Sequence, residues 1–117
     1  MALAAAALTA DGARPAPQLA AALNLPGSGW TPLPFLSDPQ QVLSEDLVRQ
    51  FSETYAVESQ PFWQMVMVVQ RGQADPVTWY LGGALPETEG ISLALALVLE
   101  QDASALAESI GQQILAP

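Results

Sequence analysis

Glu87 and Glu89 flank Thr88 in the stretch LPETEGIS, and two carboxylates this close could do acid–base work or help to bind calcium. A second acidic group, Glu45, Asp46 and Glu53, falls in a segment of helical spacing. Ser28, Ser44, Ser59 and Ser92 are hydroxyls to weigh as nucleophiles, and Trp30, Trp63 and Trp79 are aromatics to weigh as a ligand platform. The partners that such chemistry needs are missing. The chain has no histidine, no cysteine and no lysine, so its serines lack the customary bases and a thiolate metal site is excluded. Plainer readings follow. Glu87 and Glu89 belong to a solvated turn, Glu45, Asp46 and Glu53 to a wet helix face, and the serines to turns, caps and surface. The tryptophans read as core, with Trp63 and Trp79 packing across a sheet; a binding surface is the other reading. No catalytic, metal-ligating or cofactor-binding residue is assigned.

The elements that would position such residues have to fit one domain, since 117 residues suffice for a single core. Half the residues are hydrophobic and 13% are charged, about half the usual charged share. That composition offsets the entropy of ordering and leaves surface that a partner could cover. The net charge is −9, and the three cations are Arg14, Arg49 and Arg71, too few to neutralise phosphates, so nucleic acid is not a partner. A basic amphipathic membrane helix is excluded on the same ground. The opening MALAAAALTA superficially looks like a signal peptide, but its apolar run is short and no basic residue precedes it; it reads as a helix. No stretch reaches the roughly 18–20 apolar residues that span a bilayer.

Along the chain, helix formers fill residues 2–10 and Asp11-Gly12 supplies the stop. Pro15 and Pro17 force an extended path, and 18–35 reads as a loose or edge hairpin around Pro26-Gly27-Ser28-Gly29, although 18–25 alone would also suit a short helix. Ser44 caps a helix over 44–56, with Leu47, Phe51 and Tyr55 on one stripe. Strands are expected over 64–70 and 77–83, separated by a turn across 71–76. Residues 91–99 alternate: Ile91, Leu93, Leu95, Leu97 and Leu99 fall on one face, while small Ser92, Ala94, Ala96 and Val98 on the other would admit a helix closely. Asp102 is the expected cap of a last helix over 102–115, where Leu106, Ile110 and Ile114 share a face. The expected fold class is α+β: a three-stranded antiparallel meander packed with helices, forming a single domain over 1–117. Gly82-Gly83 marks a bulge or a close backbone approach.

Four segments in this order carry a resemblance. MALAAAALTADGARPAP is similar to a helix of the type "plqmAlayaalAnGG" running into a "P.P.l" stretch, and VLSEDLVRQFSETY to a "vLs.e.a..v...m" helix. VTWYLGGALPETEGISLALALVLE is similar to an "awFvGfaP...p..a.avvve" strand pair, and ASALAESIGQQIL to a closing helix. Together they resemble the C-terminal part of class B penicillin-binding transpeptidase domains, over nearly the whole chain. The resemblance implies a peptidoglycan enzyme lineage outside the cytoplasmic membrane; with Met1 as a true start, the location would instead be cytoplasmic.

Where the family's chemistry would sit, the likeness stops. Its S-x-x-K and S-x-N motifs would lie upstream of Met1. Its K-T-G motif, on the strand before the Trp79-Tyr80 strand, would fall near 60–68, where this chain reads QPFWQMVMV. Met65, Val66 and Met67 can neither activate a serine nor bind a carboxylate. The expectation is a non-catalytic fragment or degenerate relative, or alternatively a free-standing acidic interaction module. In the resembled fold the strand matching 91–99 pairs with a strand of the N-terminal half, which this sequence does not contain. Its open edge is therefore expected to form a homodimer through Ile91–Leu99, assisted by the N-terminal helix.

Overall fold

Alanine and leucine at the start of the chain form a helix, as their propensities dictate, and that helix lies on the sheet that organises the molecule. The computed structural model describes residues 1–18, 20–35, 37–86 and 92–116. Its elements are α1 (Ala2–Thr9), β1 (Ala13–Arg14), β2 (Ala22–Leu25), β3 (Gly29–Pro32), β4 (Gln40–Gln41), α2 (Glu45–Tyr55), β5 (Phe62–Arg71), β6 (Ala74–Ala84), β7 (Ala94–Leu99) and α3 (Ser104–Leu115). The fold is α+β. Strands β5, β6 and β7 make one antiparallel sheet in that order, β2 pairs with β3, and β1 with β4.

Strand parity decides which helix each side chain meets. On β6, Leu81 and Gly83 lie opposite Met65 and Trp63 of β5 and opposite Ala96 and Ala94 of β7. This face takes α1: Ala5, Trp63 and Leu81 form its buried centre, ringed by Leu8, Phe51, Met65, Leu85, Ala94 and Ala96. The small side chains of 94 and 96 admit the helix, as their alternation predicts. Phe51 of α2 meets the Trp63 ring edge-on at 5.0 Å between centroids. The other face takes α3. Tyr80 rises from β6 beneath Gly111, where a Cβ would stand 2.1 Å from the ring's Cζ, so nothing larger than glycine fits. Gly82, on the same face, is crowded by Leu115, and Gly83 by Thr9 Oγ1; close approach rather than a bulge explains that pair.

Several boundaries differ from expectation for identifiable reasons. The expected turn over 71–76 shrinks to Gly72-Gln73, because Gly72 takes φ +62° and closes a two-residue hairpin in which Arg71 pairs with Ala74. Pro76 then lies inside β6, where proline should break a central strand. The register supplies the answer: Val69 pairs with Val77 and Arg71 with Ala74, so Asp75 and Pro76 together oppose Gln70 in a bulge. β7 reaches only as far as Thr78, leaving Pro76 without a second neighbour strand.

Asp102 does not cap α3. The N-cap is Ala103, and the hydroxyl of buried Thr78 does the work from the sheet: it accepts from Ala103 N–H at 3.0 Å and donates to Gln101 C=O at 2.7 Å. Leu106, Ile110 and Ile114 do share a face of α3, yet the residues it buries are Ala107 and Gly111. Tyr80 occupies the space beneath the helix, so small residues must face it. Ile91, Glu87 and Glu89 lie outside the described residues. The β7 ladder begins at Ala94, and one further bond, Ala84 N–H to Leu93 C=O at 2.9 Å, extends it.

The β2–β3 hairpin turns at Pro26-Gly27-Ser28 and resolves 22–25 as strand. Among the described elements it packs against none but itself. It stretches the molecule to a radius of gyration of 16.5 Å, against about 13 Å for a compact chain of this length.

Candidate functional site

The hydroxyls weighed as nucleophiles occupy four separate places. Ser28 sits in the β2–β3 turn, Ser59 in the turn after α2 with φ +61°, and Ser92 is exposed ahead of β7. Ser44 caps α2, its Oγ accepting from Leu47 N–H at 3.4 Å. Its role is the one its type and position predict.

The tryptophans also separate. Trp63 is fully buried against Ala5 and Leu81, whereas Trp30 is 73% exposed on the projecting hairpin. Trp79 is half-buried and shares the α1 face with Trp63, but they do not meet: Trp63 is paired with Gly83 and Trp79 with Met67. Those positions are four residues apart along the strand, about 13 Å at the usual rise. Phe51, not Trp79, is the aromatic that packs on Trp63.

Two open grooves bear polar side chains. One, of about 840 Å³, runs between α2 and the end of β6; Asp11, Glu45, Asp46 and Glu53 rim it over a floor that includes Val48 and Leu85. Its arginine, Arg49, is held by Asp46 at 2.6 Å on the exposed side of α2. The second, of about 570 Å³, lies between α3 and residues 57–62, with Glu58 and Glu108 on opposite walls. Both are acidic. Among the described residues no group of three or more His, Cys, Asp or Glu is placed to hold a metal ion.

On β5, Gln64 lies within residues 60–68, the stretch weighed above against a K-T-G motif. Its Oε1 accepts from the Tyr80 hydroxyl and from Gln112 Nε2, each at 3.3 Å, tying β5, β6 and α3 together. Burial, and secondarily the charge of Glu108, push the Tyr80 phenol up to about 12. At neutral pH it stays protonated and donates its O–H to Gln64. Sequence reading misses this trio because nothing in the spacing of 64, 80 and 112 joins them.

Among the described residues three buried polar atoms have no hydrogen-bond partner: Thr9 Oγ1, Ser52 Oγ and Trp63 Nε1. Thr9 and Trp63 converge beside Gly83, a polar point inside an apolar layer. The remaining open feature is backbone: β5 and β7 are the sheet's two edges. No helix among the described residues is long and apolar enough to cross a membrane. Comparison with protein-family models, curated proteins and solved structures returns no match.

Proposed function

We propose that this chain is a non-catalytic fragment or degenerate relative of a penicillin-binding transpeptidase domain, retaining its scaffold without its chemistry. The observation that carries the reading is the strand before Trp79-Tyr80. Where the resembled enzymes place K-T-G, β5 presents Gln64-Met65-Val66-Met67-Val68, with Gln64 engaged by Tyr80 and Gln112. The order of helix, extended stretch, helix, three strands and helix supports the kinship. Incubation with a fluorescent β-lactam followed by denaturing electrophoresis is the test. No covalent label is expected, and labelling that boiling preserves and unlabelled penicillin competes away would overturn the reading.

A second reading is favoured by a different observation. No strand among the described residues pairs with the outer edge of β7, and the chain has a low charge density, which suits an acidic module that works by association, first with a second copy of itself.

A further inference from the structure

We infer that two copies of this chain pair along β7, antiparallel and centred on Ala96, with the Leu106–Ile110–Ile114 stripes of their α3 helices meeting above the joined strands. This rests on the second reading above and gives it a register.

Hydrogen bonding sets that register. Ala84 N–H donates to Leu93 C=O, so these two form a bonded pair of the β6–β7 ladder. Bonded and non-bonded pairs alternate in antiparallel ladders. The backbone groups of Leu95, Leu97 and Leu99 therefore also turn towards β6, opposite Gly82, Tyr80 and Thr78. Those of Ala94, Ala96 and Val98 turn outward, and no described strand pairs with them. A second β7 joins all three to one another in one way: Ala96 faces its own counterpart, and Ala94 faces Val98 of the other copy.

The strand itself does not guard this edge. Ala94–Leu99 contains no charge, no proline and no bulge, the devices that keep sheet edges apart. The opposite edge differs, since the turn after α2 bridges to the start of β5 through Ala56 and Trp63, and its register breaks near Arg71.

The side chains agree with the backbone. In this register Leu95 of each copy falls across from Leu97 of the other on the α3 face, while alanine meets alanine on the α1 face. Gln112 reaches Gln64 of β5, so that flank of α3 faces β5. At about 100° per residue, Leu106, Ile110 and Ile114 stand on the opposite flank, over β7. Leu106 and Ile114 are 48% and 43% exposed. A single exposed leucine needs no explanation, but an apolar stripe continuous with an unpaired edge does.

The self-complementary register selects a second copy, and no charge on the strand itself obstructs it. A net charge of −9 repels like molecules in general, yet neither β7 nor the stripe carries a charge. The register sets Glu100 across from Ser92, not from another carboxylate.

The test uses sedimentation velocity over a wide concentration range, with circular dichroism as the folding control. The wild-type chain is expected to be a reversible dimer. Val98→Lys and Leu106→Lys, both at exposed positions, are expected to raise the dissociation constant by about tenfold or more with the fold retained. Because the chain has no cysteine, Ala96→Cys reports the register: it should form an oxidised dimer, while Val68→Cys on the other edge should not. A wild-type chain that stays monomeric overturns the self-association reading itself. A dimer that withstands both lysine variants, with Ala96→Cys failing to cross-link, overturns the register alone.

Discussion

Gly111 and Thr78 show how much of this fold rests on single side chains. Gly111→Ala would drive a methyl group into the ring of buried Tyr80. Overpacking of this kind costs about 1–3 kcal/mol, and urea denaturation should show a lower midpoint with an unchanged slope. Thr78→Val keeps the shape but removes the hydroxyl between Gln101 and Ala103. Leaving those backbone groups unsatisfied costs about 1–3 kcal/mol, and the first turn of α3 should exchange its amides faster. Tyr80 contributes to stability at alkaline pH. Its phenol ionises near 12 in the fold against 10.0 ordinarily, so its contribution is full below pH 10 and is lost as pH rises through 12. Tyr80→Phe should flatten the decline of stability in that window and abolish the late component of the tyrosinate absorbance titration.

Among the elements, those with a strong period were legible and those shaped by a neighbour were not. The alternation of Leu93 to Leu99 identifies β7 and the side that α1 covers, because a two-residue period has one physical meaning on a sheet. The meander and three helices follow from runs of type and from proline and glycine punctuation. Pro76 argues against a strand and by sequence belongs to a turn, since a bulge depends on the register of the partner strand. Leu106, Ile110 and Ile114 share a face of α3 as their spacing predicts, but which face is buried depends on the height of Tyr80, which requires the small Ala107 and Gly111 above it. Thr78 as the cap of α3 lies 25 residues from the helix it serves, beyond any local capping signal. The candidate site was legible chiefly as an absence of bases. Its one positive feature, the outward parity of Ala94, Ala96 and Val98, requires knowing which pairs are hydrogen-bonded.

At the scale of the whole molecule, the β2–β3 hairpin packs against no other described element, so the excursion over 15–39 is expected to be separable from the core. It leaves and returns where Arg14 pairs with Gln40, joined further by Arg14 Nη2 donating to Gln40 Oε1 at 2.8 Å. Replacing 15–39 by a two-residue Asn-Gly turn should close β1 and β4 into a hairpin and leave the thermal midpoint within a few degrees; collapse of the fold would show that the excursion supports the core. Long-range charge acts on association. With twelve acidic and three basic residues the copies repel at a distance, so added salt should tighten the dimer, the reverse of an interface held by ion pairs. The most direct measurement is amide hydrogen exchange along β7, residue by residue, at a concentration where the chain is associated. Pairing predicts that Ala94, Ala96 and Val98 exchange as slowly as Leu95, Leu97 and Leu99, because both sets of amides are hydrogen-bonded. Fast exchange at the three outward residues between slow neighbours would mean that the edge is bare, and would contradict a molecule that works by joining its sheet to another.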